Sequence, residues 1–123
     1  MKILLAEDDP FLASLLKNRL EKESFVVNVA RDGEEALKML RAENFDLLLL
    51  DIILPKKSGF ELIEEVRQDP KLEKLSIIII SNLGQPEDVE RGQKSGVIEY
   101  FIKAKTSIDD LASKIKQAME SKT

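Results

Sequence analysis

The chain has 123 residues, which suits one domain with a single hydrophobic core. Hydrophobic residues make up 43% and charged residues 34%, as in a globular protein, and the net charge of −4 without a basic cluster disfavours direct nucleic-acid binding. The sequence contains no cysteine and no histidine, which excludes disulfides, thiol catalysis, a Ser-His-Asp triad and the common zinc sites.

Five short apolar runs, each followed by a longer segment with helical spacing, define the predicted elements. The runs are ILLA at 3–6, FVVNVA at 25–30, LLLL at 47–50, IIII at 77–80 and YFI at 100–102. Apolar stripes mark the helices, the first one by Leu12, Leu15, Leu16 and Leu20. Strands that alternate with helices predict five βα units, and hence a parallel sheet covered on both faces. Asn28 interrupts the second run, which indicates an edge strand.

The fourth predicted helix, at about 86–95, differs from the others. Its one large apolar residue is Val89, and Gly92 lies inside it, while Gly96 is typical of a residue that follows a helix end. A helix with little to bury and an interior glycine is only marginally held. We therefore predict that this helix is a moving part.

Polar side chains follow the ends of the predicted strands. They are Glu7, Asp8 and Asp9 after the first, Asp51 after the third, Ser81 and Asn82 after the fourth, and Lys103 after the fifth. Ligands of an open parallel sheet bind beyond the carboxyl ends of its strands, so these groups should converge on one rim. Converging carboxylates require a cation, and an all-oxygen ligand set favours Mg²⁺, with Mn²⁺ or Ca²⁺ as alternatives. A carboxylate there can accept a phosphoryl group, whose oxygens suit Ser81 and Lys103.

Each of these residues has a plainer interpretation when it is taken alone. Asp9 stands before a proline and is typical of a helix N-cap, Ser81 is a common loop opener, and Lys103 is typical of a solvated strand end. Glu7 and Asp8 have no capping role to explain them. The convergence of all these groups, rather than any one of them, favours a functional site.

Four segments of the chain resemble the receiver domain of bacterial two-component response regulators, in particular the single-domain, chemotaxis-regulator-like kind. The segments are ILLAEDD, LLLLDIILPKKSGFEL, IIIISN and YFIKA. There are 43 residues from Asp8 to Asp51, 30 from Asp51 to Ser81 and 22 from Ser81 to Lys103. The resemblance implies one receiver domain over residues 1–123, with a (βα)5 flavodoxin-like, doubly wound α/β fold and strand order 2-1-3-4-5.

The same resemblance implies a role for each site residue. Asp51 is the implied phosphoacceptor, which takes a phosphoryl group from the phosphohistidine of a sensor histidine kinase or phosphotransfer protein in a Mg²⁺-dependent reaction. The implied metal ligands are Glu7, Asp8, Asp51 and the backbone carbonyl of Ile53. Lys103 and Ser81 are expected to contact the phosphoryl group, and Tyr100 to turn inward as Ser81 moves.

The resemblance also implies how the signal leaves the domain. The surface made by the fourth helix, fifth strand and fifth helix is expected to change and to control a downstream protein target. We expect a cytoplasmic monomer or phosphorylation-dependent dimer, without direct DNA binding or membrane contact. Its only chemistry would be self-catalysed phosphotransfer and autodephosphorylation, so it would not be an enzyme in the usual sense.

Three residues depart from the family pattern, and two of them, Asn82 and Ala104, are candidate modulators together with Asp9. Ala104 follows the lysine where the family usually has a cis-bonded proline, and a cis bond to alanine costs about 2.5–4 kcal/mol. We predict either a trans bond with Lys103 re-aimed or a strained cis bond. Asn82 is expected to crowd access to the phosphoryl group. Ile53 places an apolar side chain where a polar one could orient attacking water, which predicts slow hydrolysis.

Three other functions are weighed against a phosphorylated receiver. A phosphatase of the haloacid-dehalogenase type needs a second aspartate two residues after the nucleophile, where Ile53 stands. A flavin-binding protein needs a phosphate loop after the first strand, and the acidic AEDDP segment would repel phosphate. A non-phosphorylated pseudo-receiver that acts as a docking module stays open because of Ala104, although Asp51 and Lys103 argue against it.

Overall fold

The computed structural model describes residues 1–121 and alternates five strands with five α-helices. The strands are β1 (Lys2–Ala6), β2 (Val26–Ala30), β3 (Leu47–Leu50), β4 (Ser76–Ser81) and β5 (Glu99–Ile102). The helices are α1 (Pro10–Glu21), α2 (Gly33–Ala42), α3 (Gly59–Gln68), α4 (Pro86–Lys94) and α5 (Ile108–Glu120), with a 3₁₀ turn at Lys103–Lys105. All strands are parallel, in the order β2-β1-β3-β4-β5, which confirms the predicted doubly wound α/β fold.

The hydrophobic core lies on both faces of this sheet. Alternate strand residues pack under α1 and α5 on one face and under α2 and α3 on the other. Every side chain of β3 is fully buried, because this central strand is covered on both sides. A slip of one residue in either direction would draw a flanking carboxylate, that of Asp46 or Asp51, into the apolar core, which fixes the position of Asp51 at the strand end.

Local hydrogen bonds set the helix ends. The carboxylate of Asp9 accepts from the backbone N–H groups of Phe11 and Leu12, so Asp9 is the N-cap of α1 as its position before Pro10 predicts. Asp32, Ser58 and Ser107 cap α2, α3 and α5 in the same way. Gly96 follows α4 with a φ of 77°, a left-handed conformation that favours glycine.

Two predictions about the helices had different outcomes. The stripe predicted for α1 is wrong at Leu15, which is 41% exposed, because Ala13, Leu16 and Leu20 are the residues that α1 buries. The prediction that α4 buries little is confirmed, since Gly92 is its one buried residue. A Cβ atom at Gly92 would lie 2.9 Å from Tyr100 Cδ2, so this glycine lets α4 pack closely on β5.

Within residues 1–121, no helix is both long and apolar enough to cross a bilayer.

Candidate functional site

Two adjacent interior strands, β1 and β3, bring Glu7 and Asp51 to the same rim of the sheet. Glu7 extends β1 by one residue, with its N–H donating to Ala30 O at 3.0 Å. Asp51 extends β3 likewise, with its N–H donating to Ala6 O at 3.1 Å. The ladder therefore continues one residue past each apolar run, and it leaves Glu7 only 1% and Asp51 only 5% exposed.

A third carboxylate, that of Asp8, completes an acidic cluster on this rim. One carboxylate oxygen from each of Glu7, Asp8 and Asp51 lies within 4.8 Å of the others, and Asp8 is exposed. Two backbone N–H groups support the cluster, that of Asp9 to Glu7 Oε2 at 3.1 Å and that of Ile53 to Asp51 Oδ1 at 3.1 Å. The arrangement brings together three of the predicted metal ligands and fits a hard cation that prefers oxygen ligands.

The Lys103 ammonium group lies between the two buried carboxylates. Its Nζ atom is 2.5 Å from Asp51 Oδ2 and 2.7 Å from Glu7 Oε1. Burial lowers the pKa of Lys103, but its hydrogen bonds and attraction to the two carboxylates outweigh that effect and leave the pKa raised. The lysine therefore stays charged and supplies the cation that these carboxylates require.

The carboxylate of Glu7 is almost fully buried, which disfavours its charged form. Burial raises the pKa of Glu7 above its usual value, although hydrogen bonds and attraction from Lys103 act in the opposite direction. Its buried Oε1 has an ion-pair partner in Lys103, but no hydrogen bond of good geometry within the described part of the chain. An incompletely satisfied carboxylate beside an exposed acid fits a second cation at this rim.

The peptide bond between Lys103 and Ala104 is trans, since residues 1–121 contain no cis bond. Of the two predicted alternatives, the trans bond is confirmed. Instead of a proline turn, the chain forms a 3₁₀ turn in which the N–H of Thr106 donates to Lys103 O at 3.4 Å. Lys103 still reaches Asp51, so the expected re-aiming does not take it out of the site.

The predicted switch residues meet at the backbone of Leu83. Ser81 ends β4 and is fully buried, and its Oγ accepts from the N–H of Leu83 at 3.3 Å. The Tyr100 hydroxyl donates to the carbonyl of the same residue. Burial, with the nearby charges of Asp88 and Asp51, raises the pKa of Tyr100. The half-buried tyrosine therefore contacts the β4–α4 loop, and its predicted turn with Ser81 stays a prediction.

The three departures from the family pattern lie around the rim. Asn82 and Ala104 are both exposed, and the side chain of Ile53 is 57% exposed next to Asp51. This exposed apolar side chain would therefore contact a molecule that approaches the carboxylate of Asp51. The metal-binding role of the Ile53 carbonyl stays a prediction.

Two contacts were not predicted from the sequence. One is the ion pair between Lys103 and Glu7, which depends on the length and direction of one lysine side chain. The other is a set of hydrogen bonds from Arg67 to backbone carbonyls at the end of α4. Carbonyl acceptors leave no trace in a residue pattern, so no sequence signal could have found this second contact.

The chain matches the family described as the response regulator receiver domain over residues 3–116, and it therefore belongs to that family. It is 40% identical to an uncharacterised 14.6 kDa protein in the sodA1 3′ region of Leptolyngbya boryana, over 84% of this chain and 79% of that protein. It superposes on the receiver domain of the Francisella response regulator 1452 with a TM-score of 0.90 at 30% identity, covering 99% and 98% of the two chains.

Other relatives are much longer than this chain. The transcriptional regulatory protein CpxR of Escherichia coli is 42% identical over 83% of the chain, which spans 42% of CpxR. The gliding motility regulatory protein of Myxococcus xanthus is 31% identical over 94% of the chain, which spans only 15% of that relative. The shared region is therefore the receiver domain.

Membership of this family defines the class of protein. Receiver domains are signalling proteins of two-component systems and not classical enzymes, and they work with histidine kinases or phosphotransfer proteins and with downstream targets. They typically bind Mg²⁺, for which the cluster of Glu7, Asp8 and Asp51 is suited. The chain is thus consistent with a phosphorylation-dependent switch.

Replacing Lys103 by Met should destabilise the domain when no divalent cation is present, because two buried carboxylates would lose their shared cation. We expect the free energy of unfolding at pH 7 to fall by about 2 kcal/mol, less than for a fully buried pair because the lysine is partly exposed. Mg²⁺ should restore more stability to this variant than it adds to the wild type. Urea denaturation with and without Mg²⁺ measures both effects.

The matched control is Lys94→Met, which removes an exposed ion pair with Glu90 on α4. Its unfolding free energy should change by no more than about 0.5 kcal/mol. If Lys103→Met were as stable as the wild type without metal, the shared-cation account of the site would be wrong.

Proposed function

We propose that the protein is a signalling switch that accepts a phosphoryl group on Asp51 in a Mg²⁺-dependent reaction. The observation that carries this proposal is the environment of Asp51: a buried carboxylate with an ammonium group 2.5 Å from one oxygen and two further acids beside it. Such a site can hold a metal ion next to the nucleophile and stabilise the charge of a transferring phosphoryl group. Mn²⁺ would serve as an alternative to Mg²⁺.

The residues around Asp51 divide the work of phosphotransfer between them. Glu7, Asp8, Asp51 and the carbonyl of Ile53 would hold the metal ion, which would neutralise charge on the phosphoryl oxygens. The ammonium group of Lys103 would move to contact a phosphoryl oxygen, because a phosphoryl group carries more negative charge than the carboxylate it modifies. Ser81 would donate its hydroxyl hydrogen to another oxygen of the group.

The hydrogen bonds of Leu83 offer a route from the site to the surface. In the present structure the Leu83 N–H donates to Ser81 Oγ, and this hydrogen bond would break when Ser81 turns toward the phosphoryl group. The β4–α4 loop, in which the Leu83 carbonyl accepts a hydrogen bond from the Tyr100 hydroxyl, would then be free to rearrange. Its continuation is the start of α4, where the N-cap residue Gln85 makes no side-chain capping bond. A weakly capped helix end is suited to changing position when its loop changes.

The partners follow from this proposal. The phosphoryl donor would be a sensor histidine kinase or a phosphotransfer protein, and the output would be a protein target bound by the surface of α4, β5 and α5. We further propose a single receiver domain over residues 1–123, in the cytoplasm, without direct DNA binding, that is a monomer or a phosphorylation-dependent dimer. The competing proposal is a pseudo-receiver that docks without being phosphorylated.

Incubation with acetyl phosphate and Mg²⁺ should add one phosphoryl group to the chain, because a small donor needs only the acceptor site and the metal. Intact-mass spectrometry measures the gain, and Asp51→Asn should abolish it because an amide is not a nucleophile here. Asp46→Asn, at the opposite end of β3, is the matched control and should be phosphorylated like the wild type. Absence of any gain in the wild type would favour the pseudo-receiver.

Replacing Ile53 by Asn should speed the loss of the phosphoryl group, because an amide next to Asp51 can orient attacking water where the isoleucine cannot. We expect the decay rate to rise by about tenfold, which corresponds to roughly 1.4 kcal/mol in the barrier. Ile53→Val keeps an apolar side chain and should decay like the wild type. Decay followed by intact mass tests this, and equal rates for all three proteins would contradict a retarding role of Ile53.

A further inference from the structure

The Arg67 guanidinium group joins three segments of the backbone near α4. Arg67 lies in the last turn of α3 and is partly buried. Its Nη1 donates to Glu73 O at 2.9 Å and to Leu75 O at 2.7 Å, both in the segment that leads into β4. Its Nε donates to Ser95 O and its Nη2 to Gly96 O, each at 3.1 Å.

All four acceptors of Arg67 are backbone carbonyls. No carboxylate within residues 1–121 forms an ion pair with it, and burial lowers the pKa of Arg67. An arginine directs several N–H donors in a fixed planar arrangement, so one side chain can hold several carbonyls at set positions. Hydrogen bonds from a charged donor are also stronger than those between neutral groups.

The carbonyls of Ser95 and Gly96 belong to the turn that ends α4. The N–H of Gly96 donates to Gln93 O at 3.1 Å, and the N–H of Val97 donates to Gly92 O at 3.4 Å. With Gly96 in the left-handed conformation, this is a Schellman motif. The motif satisfies the carbonyls of Gly92 and Gln93 in the last turn, and Arg67 binds those of Ser95 and Gly96 just beyond the helix. The C-terminal end of α4 is therefore held both by the hydrogen bonds of its own turn and by those of Arg67.

The N-terminal end of α4 has no comparable support. Gln85 forms no side-chain cap, and residues 82 and 84–87 are exposed. Closer to the C-terminal end, Gly92 is buried against Tyr100 and Ile79. The contacts of the helix with the rest of the domain are thus concentrated in its second half.

We propose that Arg67 is a positioning residue that fixes the C-terminal end of α4, so that the switch moves the β4–α4 loop and the first half of the helix about this end. The proposal rests on the proposed phosphorylation of Asp51, since that event supplies the displacement. It assigns the output change to residues 82–90. Residues 95–98 keep one position in both states.

Hydrogen–deuterium exchange of the whole chain tests this, with intact mass recorded on the same samples to confirm phosphorylation. In the wild type, phosphorylation with acetyl phosphate and Mg²⁺ should change exchange in residues 82–90 and leave residues 95–98 unchanged. The amides of Gly96, Val97 and Ile98 are suited to this measurement because each forms a backbone hydrogen bond. Equal changes at both ends of α4 would overturn the proposal.

Arg67→Lys removes the planar arrangement of donors and keeps the charge. In the unphosphorylated protein it should speed exchange at residues 95–98 by about tenfold. On phosphorylation, the change should spread to these residues. Arg41→Lys is the matched control, because Arg41 lies on α2 away from α4 with an exposed side chain 3.4 Å from Asp69, and it should behave like the wild type. Unchanged exchange in Arg67→Lys would overturn the proposal.

The mass measurement and a check of folding distinguish failure of the proposed phosphorylation from failure of the role proposed for Arg67. If the wild type gains no phosphoryl group, the proposed function fails, and the comparison of unphosphorylated Arg67→Lys with Arg41→Lys still decides whether Arg67 fixes the helix end. If Arg67→Lys does not fold by circular dichroism, Arg67→Gln, which keeps an amide donor without the charge, takes its place with the same expected exchange.

Discussion

Two carboxylates buried side by side need a positive charge beside them, and the arrangement of strands in this domain provides one. Glu7 and Asp51 lie at the ends of the adjacent interior strands β1 and β3, where water scarcely reaches them. The ammonium of Lys103 reaches both from the end of β5. Because one monovalent cation serves two carboxylates and the exposed Asp8 adds a third, the rim retains negative charge for a divalent ion.

In the proposed switch, the parallel sheet connects this charged site to a movable element. Adjacent parallel strands end at the same edge, so groups far apart in sequence share one rim. The buried strands cannot shift without drawing their charged flanking residues into the core, so the carboxylates at their ends keep one position. The element that can respond is α4, which buries only Gly92 and is tied through Leu83 to Ser81 and Tyr100. In the proposed switch, the fixed position of Asp51 and the weak packing of α4 have complementary roles.

Much of this could be predicted from the sequence because it depends on periodicity and strand ends. Runs such as LLLL predicted the strands, and the residues just beyond them predicted the cluster of Glu7, Asp8 and Asp51. The predicted burial of Leu15 was wrong, because a stripe does not show how far each side chain turns toward the sheet. The carbonyl contacts of Arg67 could not be predicted, since every residue has a carbonyl and only the fold selects those that meet.

The central claim is that Lys103 is shared between Glu7 and Asp51 and leaves Glu7 when Asp51 carries a phosphoryl group. A crystal structure of the chain with Mg²⁺ and beryllofluoride, which mimics a phosphoryl group on aspartate, tests it directly. The account predicts that Lys103 Nζ and Ser81 Oγ both lie within hydrogen-bond distance of fluorine atoms, with Nζ no longer in contact with Glu7. Finding Nζ still between the two carboxylates beside a bound beryllofluoride would contradict it.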